Sequence, residues 1–187
     1  MEYLITSTLL DAWKYLFTEY GKLEDFLTVL NRKKTETTKA QEEGFIFEDW
    51  AIENYEPTLN GQYQVKLSKP IVTKNAKYLL YGRLDCLKNG KIYDFKHTSS
   101  YEMGKFYGRC QTSAYLELVP EASEMVYVIG KDKPAYMEDG EPYIIYTEEY
   151  KRDEIEPIKD IICDFEEWLK SMGLWQTYTE KWETRGE

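Results

Sequence analysis

Residues 78–97 read YLLYGRLDCLKNGKIYDFKH, and this stretch decides the fold. Tyr78, Leu80, Gly82 and Leu84 alternate with their neighbours as a strand with one buried face does. Asn89-Gly90 follows, a dipeptide that tolerates the positive φ angles of a tight turn. Tyr78–Leu87 and Lys91–Lys96 are therefore predicted to pair as a hairpin. Residues two apart on a strand share a face, so Asp94 and Lys96 stand side by side. The turn brings Asp85 within reach of Asp94.

Upstream, Tyr63, Val65 and Leu67, then Ile71 and Val72, continue the strand pattern. A helix is predicted over Lys39–Asn54, with Phe45, Trp50 and Ile52 apolar, Gly44 a weak point, and Pro57, Asn60 and Gly61 ending it. Thr6 and Ser7 are N-cap types ahead of Leu9, Leu10, Trp13, Leu16, Phe17 and Tyr20, with Gly21 as a stop. Leu23, Phe26, Leu27 and Leu30 mark a second helix, and Asn31–Thr38 reads as a loop. Downstream, Ser99 or Ser100 caps a predicted helix from about Tyr101 to Leu118, closed by Pro120. Met125–Gly130 and Pro142–Thr147 read as strands, and Asp153–Met172 as a last helix with Pro157 in its first turn. The expected order is helix, three strands, helix, strand. It makes one α/β (α+β) domain over 1–187, with a core at about 39–148, N-terminal helices in 6–33 and a C-terminal helix at 153–172.

The chain has 187 residues, 42% apolar and 16% aromatic, which suits a single packed domain. No run approaches the roughly 18 apolar residues of a membrane span, and Met1–Thr8 lacks the features of a secretory signal. A cytoplasmic protein with no membrane partner is expected. Cys86, Cys110 and Cys163 are widely spaced and form no CxxC pair, so they read as reduced thiols and predict neither zinc nor an iron–sulfur cluster. The net charge of −10 argues against a polyanionic partner, but its distribution does not. Residues 1–61 carry 6 basic and 12 acidic side chains, residues 62–112 carry 10 and 3, and residues 113–187 carry 8 and 19. One basic segment lies between two acidic ones, and it contains the hairpin.

An Asp-x-Lys triplet is a weak signal alone, since roughly three or four acid-x-Lys triplets are expected by chance in such a composition. The chain has two, and only Asp94-Phe95-Lys96 follows a strand carrying a second carboxylate across a short turn. Two facing carboxylates repel. A hard divalent ion with oxygen ligands from Asp85, Asp94 and the Phe95 main-chain carbonyl would relieve that repulsion. Such an ion would polarise a phosphate, while Lys96 would orient water or balance charge on the phosphorane. The plainer alternative is an exposed Asp–Lys ion pair. His97 reads as a strand-end residue pointing away from Lys96.

The motifs Gly44-x-x-x-Glu48, Gly82-x-x-Asp85, Asp94-x-Lys96 and Gln111-x-x-x-Tyr115, in this order over residues 44–115, resemble the PD-(D/E)XK nuclease superfamily, in its RecB-like and lambda-exonuclease-like branch. The resemblance implies a restriction-endonuclease-like αβββαβ core with a mixed central sheet flanked by helices. It implies a Mg²⁺- or Mn²⁺-dependent deoxyribonuclease, more readily an exonuclease than an endonuclease, with DNA as partner. Glu48, Asp85 and Asp94 would be metal ligands, Lys96 the catalytic lysine, and Gln111 and Tyr115 a helix pair beside the site. Glu48 is one of three choices for the first acidic ligand, with Asp49 and Glu43 as the others. The cysteine set that holds an iron–sulfur cluster in some relatives is missing. A free-standing nuclease, a homo-oligomer, or a subunit working with recombination or replication proteins would fit. The competing readings are an acidic DNA mimic or inhibitor on the same fold, and a structure-specific endonuclease. If DNA lies along the basic segment, Lys88, Lys91, Lys105 and Arg109 are the expected phosphate contacts, with Lys105 and Arg109 one helical turn apart.

Overall fold

The computed structural model describes residues 1–134 and 141–184. In chain order it forms β1 (Glu2–Thr6), α1 (Ser7–Tyr15), α2 (Leu23–Leu30), α3 (Lys39–Asn54), β2 (Gln62–Val72) and β3 (Lys77–Lys88). There follow β4 (Lys91–His97), α4 (Cys110–Leu118), β5 (Glu124–Asp132), β6 (Tyr143–Lys151), α5 (Ile158–Ser171) and α6 (Trp175–Trp182). The segment from α3 to β5 has the expected helix, three strands, helix, strand order.

All six strands join one mixed sheet with β3 at its centre. Along one edge β3 pairs antiparallel with β2, from Gln62↔Leu87 to Val72↔Lys77. Along the other it changes partner. Its first residues pair parallel with β1, from Glu2↔Lys77 to Thr6↔Tyr81, and its last pair antiparallel with β4, from Cys86↔Tyr93 to Lys88↔Lys91. The Asn89-Gly90 turn between β3 and β4 has the positive φ angles expected, 50° and 73°. Between the β1 and β4 pairings, Gly82–Asp85 has no strand beside it on that edge. β4 continues into a parallel ladder with β5, and β6 closes the sheet antiparallel to β5.

The helices bury their apolar stripes on the two faces of this sheet. Phe47 and Ala51 of α3 pack with Tyr93, Phe95, Val126 and Val128 on one face, while α1, α2, α4, α5 and α6 share the larger core on the other. β5 is buried on both faces, which is why its sequence runs MVYVIG without alternation. α3 begins at Thr38, whose hydroxyl accepts from the Gln41 amide at 3.3 Å while the Gln41 side chain accepts from the Thr38 amide at 2.8 Å. Among the described residues no helix is long and apolar enough to cross a membrane.

Four sequence expectations need correction. The helix expected from Tyr101 starts only at Cys110, because Gly104 and Gly108 take left-handed φ angles of 83° and 76°. The preceding loop is held by Glu148, which accepts from the amides of Gly104 at 2.8 Å and Phe106 at 3.2 Å. The last long helix begins at Ile158 with Pro157 as its cap, since the chain before it makes a separate short 3-10 turn at Arg152–Glu154. The first helix ends at Tyr15, not near Tyr20. Strand β1 and helix α6 were not foreseen: Thr184 closes them together by donating its amide to the Glu2 carbonyl at 2.9 Å.

Glu166 of α5 is a buried carboxylate with a purely structural setting. It accepts from Tyr78 Oη at 2.8 Å, Thr73 Oγ1 at 3.3 Å and Lys170 Nζ at 2.5 Å. Burial raises its pKa, but the hydrogen bonds from Lys170 and Tyr78 outweigh that and hold it below the ordinary glutamate value. A depressed folded-state pKa gives stability that is present above the unfolded value of about 4.3 and lost as pH falls through the folded one. Glu166→Gln is therefore expected to cost about 1–3 kcal/mol at pH 7, discounted for the partly exposed lysine. The gap between the two melting curves should shrink below about pH 4. A gap that stays constant to pH 3 would show that the charge contributes nothing.

Candidate active site

The break in the sheet edge makes the site. Where β3 and β4 part, Asp85 and Asp94 follow the last paired rung on their strands, and the Asp85 side chain takes over the ladder's role: its Oδ2 accepts from the Phe95 amide at 2.9 Å. On a strand the N–H and C=O of one residue point to the same side, so the Phe95 carbonyl opens onto the same gap. The alternation of faces slips here as well. Leu84 packs in the core on one side of the sheet and Cys86 in the core on the other. Opposite Asp85 on β2, Gln64 has a φ of 54°, outside strand geometry, and the ladder register is unchanged on either side of it.

Around this break is a cleft of about 510 Å³, lined by Glu48, Arg83, Asp85, Asp94, Phe95, Lys96, Gln111 and Tyr115 among others. Asp94 is 1% exposed. Its Oδ1 accepts from Gln111 Nε2 at 2.6 Å, whereas its buried Oδ2 has no hydrogen bond of normal geometry and faces the Lys96 ammonium at 2.5 Å. Burial, and then the neighbouring Asp94 charge, hold the Asp85 carboxyl well above the usual carboxylate range, with Lys96 pulling the other way. Burial opposes the charge on Lys96, but Asp94 and Asp85 more than compensate, so its pKa is raised and it stays an ammonium at neutral pH. Its head also lies 5.9 Å from the Tyr127 ring centroid.

Of the three acidic choices on α3, Glu48 lines the cleft. Glu43 instead reaches Lys39 at 3.4 Å and His97 at 4.0 Å, and Asp49 is exposed. Burial raises the Glu48 pKa and Arg83 lowers it. Gln64 donates its side-chain amide to Glu48. Sequence reading missed Gln64 and Arg83; nothing distinguishes a polar residue in one strand from its neighbours until the partner strand and α3 are in place. Gln111 and Tyr115 sit as expected one turn apart on α4. The Tyr115 hydroxyl donates to the Arg83 carbonyl at 2.8 Å, supplying a partner on the edge that β3 leaves open. His97 ends β4, with Nε2 3.1 Å from Asp132.

The proposed phosphate lysines are placed differently. Lys88 donates to the Leu59 carbonyl at 2.7 Å and Lys91 pairs with Glu124, both at the hairpin turn and off the cleft lining. Lys105 lies in the loop before α4, not on a helix, and its ammonium is taken by Thr98 Oγ1 at 2.6 Å and the Ser100 carbonyl at 2.8 Å. Arg109 is the residue that caps α4, so it and Lys105 are not one helical turn apart.

No protein-family model and no curated protein sequence matches the chain. Solved structures do share its fold. SSO0001 is 18% identical with a TM-score of 0.59, over 91% of this chain and 78% of that one. A phage-related exonuclease from Haemophilus somnus 129PT is 15% identical with a TM-score of 0.51, over 92% of each chain. At these identities the likeness concerns the fold: a mixed central sheet flanked by helices.

The donor set suits a hard divalent cation. It offers carboxylate oxygens and a strand carbonyl in one cleft, where one Asp94 oxygen is held by Gln111 and the other meets the Lys96 ammonium. The carboxylates line one cleft without meeting at a point. Among the described residues no three His, Cys, Asp or Glu side chains stand at ligand spacing, with Glu48 drawn to Gln64 and Asp85 to the Phe95 amide.

Proposed function

We propose that the chain is a divalent-metal-dependent deoxyribonuclease that hydrolyses phosphodiester bonds from free DNA ends. One observation carries this reading: Asp85, Asp94, Lys96 and Glu48, from three different elements, line a single cleft at the point where two paired strands separate. The order of motifs that resembles PD-(D/E)XK nucleases supports it. So does a shared fold with a protein named as a phage-related exonuclease. Asp85, Asp94, the Phe95 carbonyl and Glu48 would hold Mg²⁺ or Mn²⁺. When bound, the ion supplies positive charge against the phosphate oxygens and makes water more acidic.

The chain's own residues do the rest. Lys96, kept cationic by Asp94 and Asp85, donates hydrogen bonds to an anionic phosphate and offsets charge that builds on it during attack. Gln111 fixes one Asp94 oxygen and leaves the other directed at Lys96. Gln64 fixes Glu48, and Tyr115 steadies the unpaired β3 edge.

Linear and covalently closed circular DNA, each incubated with Mg²⁺, with Mn²⁺ and with chelator, test the proposal. Metal-dependent loss of the linear substrate with resistant circles is the expected result. Circles nicked as fast as linear DNA is degraded would replace the exonuclease by an endonuclease, and no cleavage of either would remove the enzyme. Lys96→Ala is expected to lower turnover about 10²- to 10³-fold while Mn²⁺ affinity, measured by calorimetry, stays near that of the parent. Collapse of metal affinity in this variant would contradict the role given to Lys96.

A further inference from the structure

The wall of the cleft contributed by α3 is unlike the rest of it. Ala40, Gln41, Gly44, Phe45 and Glu48 line the cleft, a helical stripe in which the small Ala40 and Gly44 lie beside one large ring, Phe45. Glycine in a helix interior is destabilising relative to alanine, and it is normally kept for a positive φ or for close packing. Gly44 has neither reason. Its φ is not positive, and a Cβ built on it would meet nothing within 4 Å. Phe45 beside it is 55% exposed and packs into neither core, although the helix buries Phe47 completely two residues later. The fold thus leaves a bare patch of backbone and an open aromatic face on the same cleft as Asp85, Asp94 and Lys96.

We infer that Gly44 and Phe45 form the subsite for the nucleotide adjoining the scissile phosphodiester. The sugar–phosphate backbone passes against Gly44, and the attached base stacks on the Phe45 ring. This rests on the nuclease reading and narrows its substrate. A base inside a duplex has both faces covered by its neighbours, so the base that stacks on Phe45 lies in single-stranded DNA or at a duplex end, where one face is open. Base–aromatic stacking tolerates any sequence because every base has a π-face, so no sequence preference is expected from it.

The test uses the full chain, a single-stranded oligonucleotide, and a set of the same oligonucleotides with one abasic position moved along the strand. Cleavage is followed in Mg²⁺ and binding in Ca²⁺, with melting temperature recorded for each variant. Phe45→Ala is expected to lower kcat/KM about tenfold to a hundredfold with an unchanged melting temperature, and Phe45→Trp to retain activity. One abasic position should lower the parent by the same factor and lower Phe45→Ala no further. Gly44→Leu should melt no lower than the parent, because leucine is the better helix former, yet bind at least about tenfold more weakly as its side chain fills the patch. Variants that bind and cleave like the parent would overturn the subsite while leaving the nuclease standing, as would abasic and Phe45→Ala effects that multiply. A lower melting temperature in Gly44→Leu would give the glycine a structural reason and remove it from the subsite. A parent that neither binds nor cleaves DNA would instead bring down the nuclease reading itself.

Discussion

Asp94→Asn is expected to abolish cleavage, lowering turnover by about 10³-fold or more, while the folded chain melts within a few degrees of the parent. The substitution keeps an oxygen that can accept from Gln111, removes the charge, and turns an NH2 group toward Lys96 in place of the Asp94 Oδ2 acceptor. In the parent, Asp94 is the largest charge acting on Asp85 and the partner of Lys96. Its loss relieves the repulsion on Asp85 and frees a lysine that already has a half-open path to water, so the two stability effects oppose each other. On the proposed reading function has no such compensation, because the cation would be held by the carboxylate pair. Asp85→Asn should behave alike in activity, and calorimetry should show weakened Mn²⁺ binding in both. Cleavage persisting in both variants would place the chemistry elsewhere in the molecule.

Phe47→Ala should have the largest effect on stability, about 3–5 kcal/mol, seen as a melting temperature lower by about 10 °C. Phe47 is fully buried and is the anchor of α3 on its face of the sheet. Its ring lies 4.9 Å from Tyr143, 5.9 Å from Trp50 and 6.5 Å from Phe95. It also rests on the backbone of Gly130, where an added Cβ would approach to 2.1 Å. The absence of a side chain on β5 is thus what lets the helix sit down, and alanine would leave that seat empty. Because α3 also carries Glu48, activity near the melting range should fall earlier than in the parent. A change of less than about 2 °C would mean that α3 is not docked through this ring.

Much of the arrangement was written locally and could be read from it. The β3–β4 hairpin was legible because its turn residues and its alternation lie within one short run, and α3 because its stop signals are local, although its buried face was not: Phe45, read as an apolar position, is exposed, and Phe47 and Ala51 are buried. That Asp85, Asp94 and Lys96 come near one another was legible for the same reason: all three sit on that hairpin. What stayed hidden depends on partners far away in sequence. Ser99 and Ser100 are cap types ahead of Tyr101, but Glu148 on β6 accepts from the amides of Gly104 and Phe106 instead, and two glycines take up the turn. Lys105 looked free to meet a phosphate and is spent on Thr98 and Ser100. Gln64 has no local mark at all, since its role comes from lying opposite Asp85 and beneath Glu48.

The parallel pairing of β1 with β3 joins the most widely separated segments of the sheet, which bears on how the chain folds. Glu2 meets Lys77 and Thr6 meets Tyr81, so this ladder closes a loop that contains α1, α2, α3 and β2. A hairpin such as β3–β4 assembles in roughly 1–10 μs, whereas pairings of such long separation wait on an entropic search. The strand bearing Asp85 and the strand bearing Asp94 are thus expected to come together early, and the cleft to be finished only when β1 docks and its end, Thr6 running into Ser7 and Thr8, supplies its part of the wall. Binding capacity should therefore lag behind secondary structure during refolding, and the carboxylates spend that interval exposed to water, where their mutual repulsion is weakest.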